Sequence, residues 1–128
     1  MKKNIGLWID HATAVIVTVI GEKAEDFEIM KIVSDIKKHP HSKVGADDTR
    51  QNVETEYLKR FYDEVFTVIE GADSVLIFGP GEAKGEFKKR LQHNEFNEEK
   101  ITIESADQMT EPQIVARVRS QFFEQGRG

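Results

Sequence analysis

The chain has 128 residues, 38% hydrophobic and 32% charged, with 18 lysines and arginines against 23 aspartates and glutamates, a formal net charge of −5. That length suits one domain with its own core, and that charge argues against nucleic-acid binding driven by whole-molecule attraction. The absence of cysteine excludes disulfides and cysteine-ligated zinc, and no apolar run approaches the roughly 20 residues that a membrane span needs.

Met1-Lys2-Lys3 leads straight into a strand-like segment and not into a signal peptide, so a cytoplasmic protein is expected. Ile5-Gly6-Leu7-Trp8-Ile9-Asp10 reads as a first strand and Ala14 to Ile20, rich in β-branched residues, as a second. The short polar link Asp10-His11-Ala12-Thr13 makes the pair an antiparallel hairpin. Phe27 to Val33 reads as a third strand, with Met30 and Ile32 apolar on the second face, so that both faces are expected to be partly covered.

From Asp35 to Thr49 the hydrophobic pattern collapses, and an exposed, flexible loop is expected over 35–49. Asp48-x-x-Gln51 then has the spacing of a capping box. Val53, Tyr57, Phe61 and Val65, with Leu58, Tyr62, Phe66 and Ile69, form the apolar face of a long helix ending at Gly71.

Val75-Leu76-Ile77-Phe78 is an unbroken apolar run, the pattern of a strand buried on both faces, and is expected to be the central strand. Gly79-Pro80-Gly81 stops it, and Ala83, Phe87 and Leu91 recur at i, i+4 and i+8 as one stripe of a helix. Such a turn has two readings. Its amides, with Lys84 in the first helical turn, could hold an anion, giving Gly79, Gly81 and Lys84 as an anion-binding turn. The plainer reading is that the glycines only permit a sharp reversal, and neither Gly-x-Gly-x-x-Gly nor a phosphate-loop Lys-Ser/Thr ending is present.

Lys100 to Glu104 supplies a fifth strand. Thr110-x-x-Gln113, with Pro112 in the first turn, opens a last helix whose Ile114, Val115, Val118 and Phe122 face the core and which Gly126 ends. Three antiparallel strands followed by helix, strand, helix, strand, helix give one α/β domain over 1–128. Right-handed crossovers place helices on both faces of a mixed five-stranded sheet of order 3-2-1-4-5, a three-layer, ribonuclease H-like fold.

Leu76-Ile77-Phe78-Gly79-Pro80-Gly81 followed by Lys84 and Phe87, and the loop Lys43-Val44-Gly45-Ala46-Asp47-Asp48-Thr49-Arg50-Gln51 before a long helix, carry a family likeness. The chain resembles the central domain of the archaeal and eukaryotic class 1 peptide-chain release factors and of the ribosome-rescue factor Pelota. In release factors the corresponding loop carries Gly-Gly-Gln, whose glutamine helps water attack peptidyl-tRNA. Here the nearest counterpart is Gly45-Ala46-Asp47, and Pelota, which also lacks the tripeptide, acts without that hydrolysis. The resemblance therefore implies a non-catalytic protein, without cofactor or metal, that associates with the ribosome, rRNA or tRNA. With no room for flanking domains, it reads as a stand-alone relative of the middle domain.

The local basic clusters give the contact residues for such a role: Lys37, Lys38, Lys43 and Arg50 in the loop, and Lys84, Lys88, Lys89 and Arg90 on one helix. A solvated helix face is the ordinary alternative for the second cluster. Two rival functions stand beside it. A metal-dependent ribonuclease H-like nuclease would use Asp10 with Glu54, Glu56 or Asp107, although the central strand ends without a carboxylate. A small homo-oligomeric interaction module is the other, the oligomeric state being open. His39-Pro40-His41 lacks metal-ligand spacing, no Gly-x-Ser-x-Gly elbow occurs, and Trp8 reads as core.

Overall fold

The computed structural model describes residues 2–20, 26–34 and 47–124, with side chains throughout except at 47–55 and 124. The elements in chain order are β1 (Lys3–Ile9), β2 (Thr13–Ile20), β3 (Phe27–Val33), α1 (Asp47–Ile69), β4 (Ser74–Gly79), α2 (Ala83–His93), β5 (Ile101–Ser105) and α3 (Glu111–Arg119). A single 3-10 turn (Glu98–Lys100) precedes β5, and a π-helical turn (Ser120–Glu124) continues α3. None of the described helices is long and apolar enough to cross a membrane.

The five strands form one mixed sheet of order β3-β2-β1-β4-β5. β1 pairs antiparallel with β2 and parallel with β4, and β4 pairs parallel with β5. This is the expected topology, with one correction. β1, not β4, is the middle strand, and β4 is interior but one place away. The apolar run Val75–Phe78 reports burial on both faces, which any interior strand shares, and β1 conceals its central position behind Gly6. A Cβ on Gly6 would lie 2.0 Å from a methyl of Val118, so the glycine lets α3 settle onto the sheet.

Side chains alternate across the sheet into two cores. On one face Ile5, Leu7, Ile9, Ala14, Ile16, Val75 and Ile77 pack with Phe61, Val65 and Ile69 of α1 and Phe87 and Leu91 of α2. On the other, Trp8, Val15, Val17, Val19, Leu76 and Phe78 pack with Ile114, Val115 and Val118 of α3, with Phe122 at the margin. Trp8 is core as expected, its indole N–H donating to the Asp107 carbonyl at 3.4 Å. Of the apolar stripes expected for the helices, Phe61, Tyr62, Val65, Ile69, Ala83, Phe87, Leu91, Ile114, Val115 and Val118 are buried, and Tyr57, Leu58, Phe66 and Phe122 are partly buried, while the Val53 side chain lies outside the described residues.

Several boundaries differ from expectation. Helix α1 begins at Asp47, so Asp47, Asp48 and Thr49 belong to it. Asp48 therefore lies inside the helix and not at its cap, because the backbone turns helical before the side-chain spacing announces it. The rest of the expected loop, 35–46, lies outside the described residues, as does Gly126. Gly71 has no positive φ. The turn after α1 is closed instead by the Ala72 N–H on the Ile69 carbonyl at 2.9 Å. The Thr110–Gln113 capping box is formed, each side chain accepting from the other residue's backbone N–H. Finally, β3 is an edge strand covered only at its ends. Ile29 and Met30 are 41% and 49% exposed, since β3 borders the sheet and has a strand neighbour on one side only among the described residues.

Candidate functional site

The carboxyl ends of the adjacent parallel strands β1 and β4 lead into the Asp10–Thr13 turn and the Gly79-Pro80-Gly81 turn. In open α/β sheets this end of the strands is where ligand sites are built. The first turn is closed by Asp10, whose Oδ1 accepts the Ala12 and Thr13 N–H groups at 2.8 and 2.7 Å. That arrangement is an Asx turn, the reason an aspartate suits the hairpin. Among the described residues no three histidine, aspartate or glutamate side chains gather as a metal site. Glu56 sits on the exposed side of α1, 4.0 Å from Lys59, and the Glu54 side chain lies outside the described residues.

The second turn is shaped by steric necessity. Gly79 has φ +148°, and a Cβ there would lie 2.3 Å from the Ile9 carbonyl oxygen of β1. Gly81 has φ +66° and open space around it, so only its backbone angle asks for glycine. Lys84 donates from Nζ to the Gly81 carbonyl, folding its charge back onto the turn. Glu82 and Glu86 add two carboxylates at the start of α2, which complement the helix dipole themselves. All three residues of the expected anion-binding turn thus serve the chain reversal.

Above the two turns lies a cluster that sequence reading did not single out. Glu86 Oε1 accepts from the Tyr62 hydroxyl at 2.7 Å and lies 3.1 Å from His11 Nε2. It ties the β1–β2 turn to α1 and α2 at once. The Tyr62 ring packs against Phe61 and Phe87. Burial, then the hydrogen bond to Glu86 and its charge, push the phenol well above its ordinary range, so it stays a donor. His11 and Glu86 are solvent-accessible, their side chains 52% and 40% exposed. Beside them, Ser34 Oγ is buried with no partner among the described residues, while its N–H donates to the Ala12 carbonyl at 2.8 Å. The one legible signal was topological, since residues following two parallel neighbours must converge. Tyr62 was hidden in an apolar stripe.

The basic residues of α2 divide by helix face. Arg90 faces α1, where it makes a two-pronged ion pair with Asp63 at 2.9 and 3.0 Å, and that carboxylate raises the guanidinium further above its usual range. Its charge is already spent within the fold. Lys88 is half-buried and Lys89 exposed, and neither makes an ion pair among the described residues. Lys37, Lys38 and Lys43 lie outside the described residues. Arg50 lies on the first turn of α1. Of the eight residues expected to contact RNA, Lys88 and Lys89 are the two whose described side chains make no ion pair or hydrogen bond among the described residues.

No family model matches the chain, and no curated relative matches it. Solved structures do. The chain is similar in fold to Pelota from Archaeoglobus fulgidus (TM-score 0.63, 13% identity), with 96% of this chain covered and 32% of that one. It is similar to Pelota from Thermoplasma acidophilum (TM-score 0.59, 14% identity), covering 96% and 35%. It is also similar to an archaeal translation termination factor (TM-score 0.62, 12% identity), covering 98% and 38%. The chain spans about a third of the length of each. At these identities the likeness is one of fold, and it is the release-factor and Pelota-like fold.

Proposed function

We propose that this domain is a translation-associated, cytoplasmic, non-catalytic module that contacts ribosomal RNA or tRNA, with Lys88 and Lys89 on the outer face of α2 as contacts. The segment carrying Lys37, Lys38, Lys43 and Arg50 is its second contact. The observation that carries the reading is the fold shared with Pelota and a translation termination factor over at least 96% of the chain. Lysines that make no ion pair among the described residues supply the sequence-independent phosphate attraction such a role needs, on a chain whose net charge opposes indiscriminate binding. Gly-Gly-Gln does not occur in the sequence, which supports binding without peptidyl-tRNA hydrolysis. The nuclease alternative is not carried forward, because Asp10 is engaged in its own turn.

Co-sedimentation with ribosomes over a salt series tests the proposal. Binding at low salt that falls steeply as salt rises is expected. No co-sedimentation even at low salt, where phosphate contacts are strongest, overturns it.

A further inference from the structure

We infer that β3 is a self-association edge, and that two copies of this chain pair antiparallel through it to form one continuous sheet. The inference is independent of the RNA-binding proposal and rests on four features of the strand.

First, its hydrogen-bonding groups are half used. At the ends of the β2–β3 register, Ile20 N–H donates to the Asp26 carbonyl and Ser34 N–H to the Ala12 carbonyl. In an antiparallel ladder the bonded residues alternate, so even-numbered residues of β3 face β2. Phe27, Ile29, Lys31 and Val33 turn their N–H and C=O groups to the outer edge, where no strand pairs with them among the described residues.

Second, the usual protections of an edge are few. The strand has seven residues, contains no proline, and keeps an unbroken register with β2 without a bulge. Lys31 is its only basic residue. The other edge, β5, is shorter at five residues.

Third, the exposed apolar side chains lie where a second copy would cover them. Ile29 shares its face with α3 and lines a hollow of about 500 Å³ with Phe27, Pro112, Val115 and Ala116. Met30 lies on the opposite face, that of α1 and α2. One added strand covers both, which a partner docking on a single face would not do.

Fourth, the charges select a register. A two-fold axis perpendicular to the sheet requires paired residues of the same parity, so the strand centres on itself at a residue. Centring on Glu28 or on Lys31 places like charges directly opposite, which is destabilising. Centring on Met30 pairs all seven residues, Phe27 with Val33 and Ile29 with Lys31 of the second copy forming the hydrogen-bonded pairs, and Glu28 meeting Ile32. No like charges then stand opposite, and Met30 meets its own copy in a non-hydrogen-bonded pair. A contact of this size is at the small end of stable interfaces, so the dimer is expected to be concentration-dependent.

Light scattering from low micromolar to submillimolar protein should show the mass rising towards twice that of the chain. Ile29→Pro removes an outward N–H and leaves the β2 ladder intact. It should hold the protein at monomer mass with an unchanged circular dichroism spectrum, and Met30→Lys, at an exposed position, should do the same without a backbone change. Because the chain has no cysteine, Met30→Cys gives a crosslinking test free of background. Cα atoms in a non-hydrogen-bonded pair are about 4.5 Å apart, within disulfide reach. Mild oxidation should yield a disulfide-linked dimer from Met30→Cys and not from Ile103→Cys on the β5 edge. The inference is overturned by monomer mass at every concentration, by a dimer that survives both Ile29→Pro and Met30→Lys, or by crosslinking of Ile103→Cys in preference to Met30→Cys.

Discussion

Replacing Gly79 by alanine tests the junction on which the site is built. The residue sits at the end of β4 with φ +148°, an angle that L side chains rarely adopt, and the added Cβ would meet the Ile9 carbonyl oxygen at 2.3 Å and the Ile9 nitrogen at 3.1 Å. The obstacle is the backbone of the middle strand, held by hydrogen-bonded neighbours on both sides, so it cannot swing aside as a flexible side chain would. Backbone strain of about 1–3 kcal/mol and steric overpacking of about 1–3 kcal/mol combine to roughly 2–6 kcal/mol. Against a typical stability of about 5–15 kcal/mol, that should lower the melting temperature by roughly 10–25 °C, read by circular dichroism or calorimetry. Gly81→Ala separates the two causes. Its φ is +66° but nothing lies within 4 Å of the new Cβ, so it should cost only the left-handed angle, about 1–2 kcal/mol. A Gly79→Ala protein that melts with the wild type, or a Gly81→Ala protein destabilised as much as it, would refute the close-approach argument.

Three further perturbations probe the frame around the site. Thr110→Ala removes one half of the capping box at α3 and should cost about 1 kcal/mol in denaturant unfolding, while Thr110→Ser should retain most of it. Glu104 pairs through both oxygens with Arg117 at 2.8 and 2.6 Å, joining β5 to α3. The Arg117 hydrogen bond holds the Glu104 carboxyl below its ordinary range, so the pair stabilises above the unfolded-state pKa of about 4.3 and this is lost as pH falls through the depressed folded value. Glu104→Gln should therefore destabilise by at most about 1 kcal/mol at neutral pH, since the pair is partly solvent-exposed, and the difference should vanish in acid. Tyr62→Phe should cost about 1 kcal/mol by chemical denaturation, the loss of one hydrogen bond to a charged but accessible carboxylate.

The strand order and helix faces were legible because they rest on periodicity, which is a property of the sequence itself. The stripe of Ala83, Phe87 and Leu91, and Thr110 with Gln113, each announce their role within a few residues, and Val75–Phe78 announces an interior strand without its place in the sheet. What stayed hidden depends on partners distant in the chain. Gly6 reads as a weak strand residue until Val118 of α3 is seen against it. Arg90 reads as part of a basic run until Asp63, 27 residues earlier, is seen to hold it. The His11, Tyr62 and Glu86 cluster needs three elements to converge, and no local spacing encodes that. The exposed middle of β3 was likewise unreadable, since apolar residues on both faces signal a buried strand and an unpaired edge alike.

The most direct test of the RNA-contact account is the salt dependence of tRNA and ribosome binding by the wild type and by a Lys88→Ala, Lys89→Ala double variant. Each lysine on a phosphate contributes roughly 0.7–0.9 to the slope of log K against log salt. The account predicts weaker binding by the double variant, with the slope reduced by about 1.5, and an Arg90→Ala protein that loses stability with little change in slope. Equal slopes for wild type and double variant, or no measurable binding by either, would contradict it.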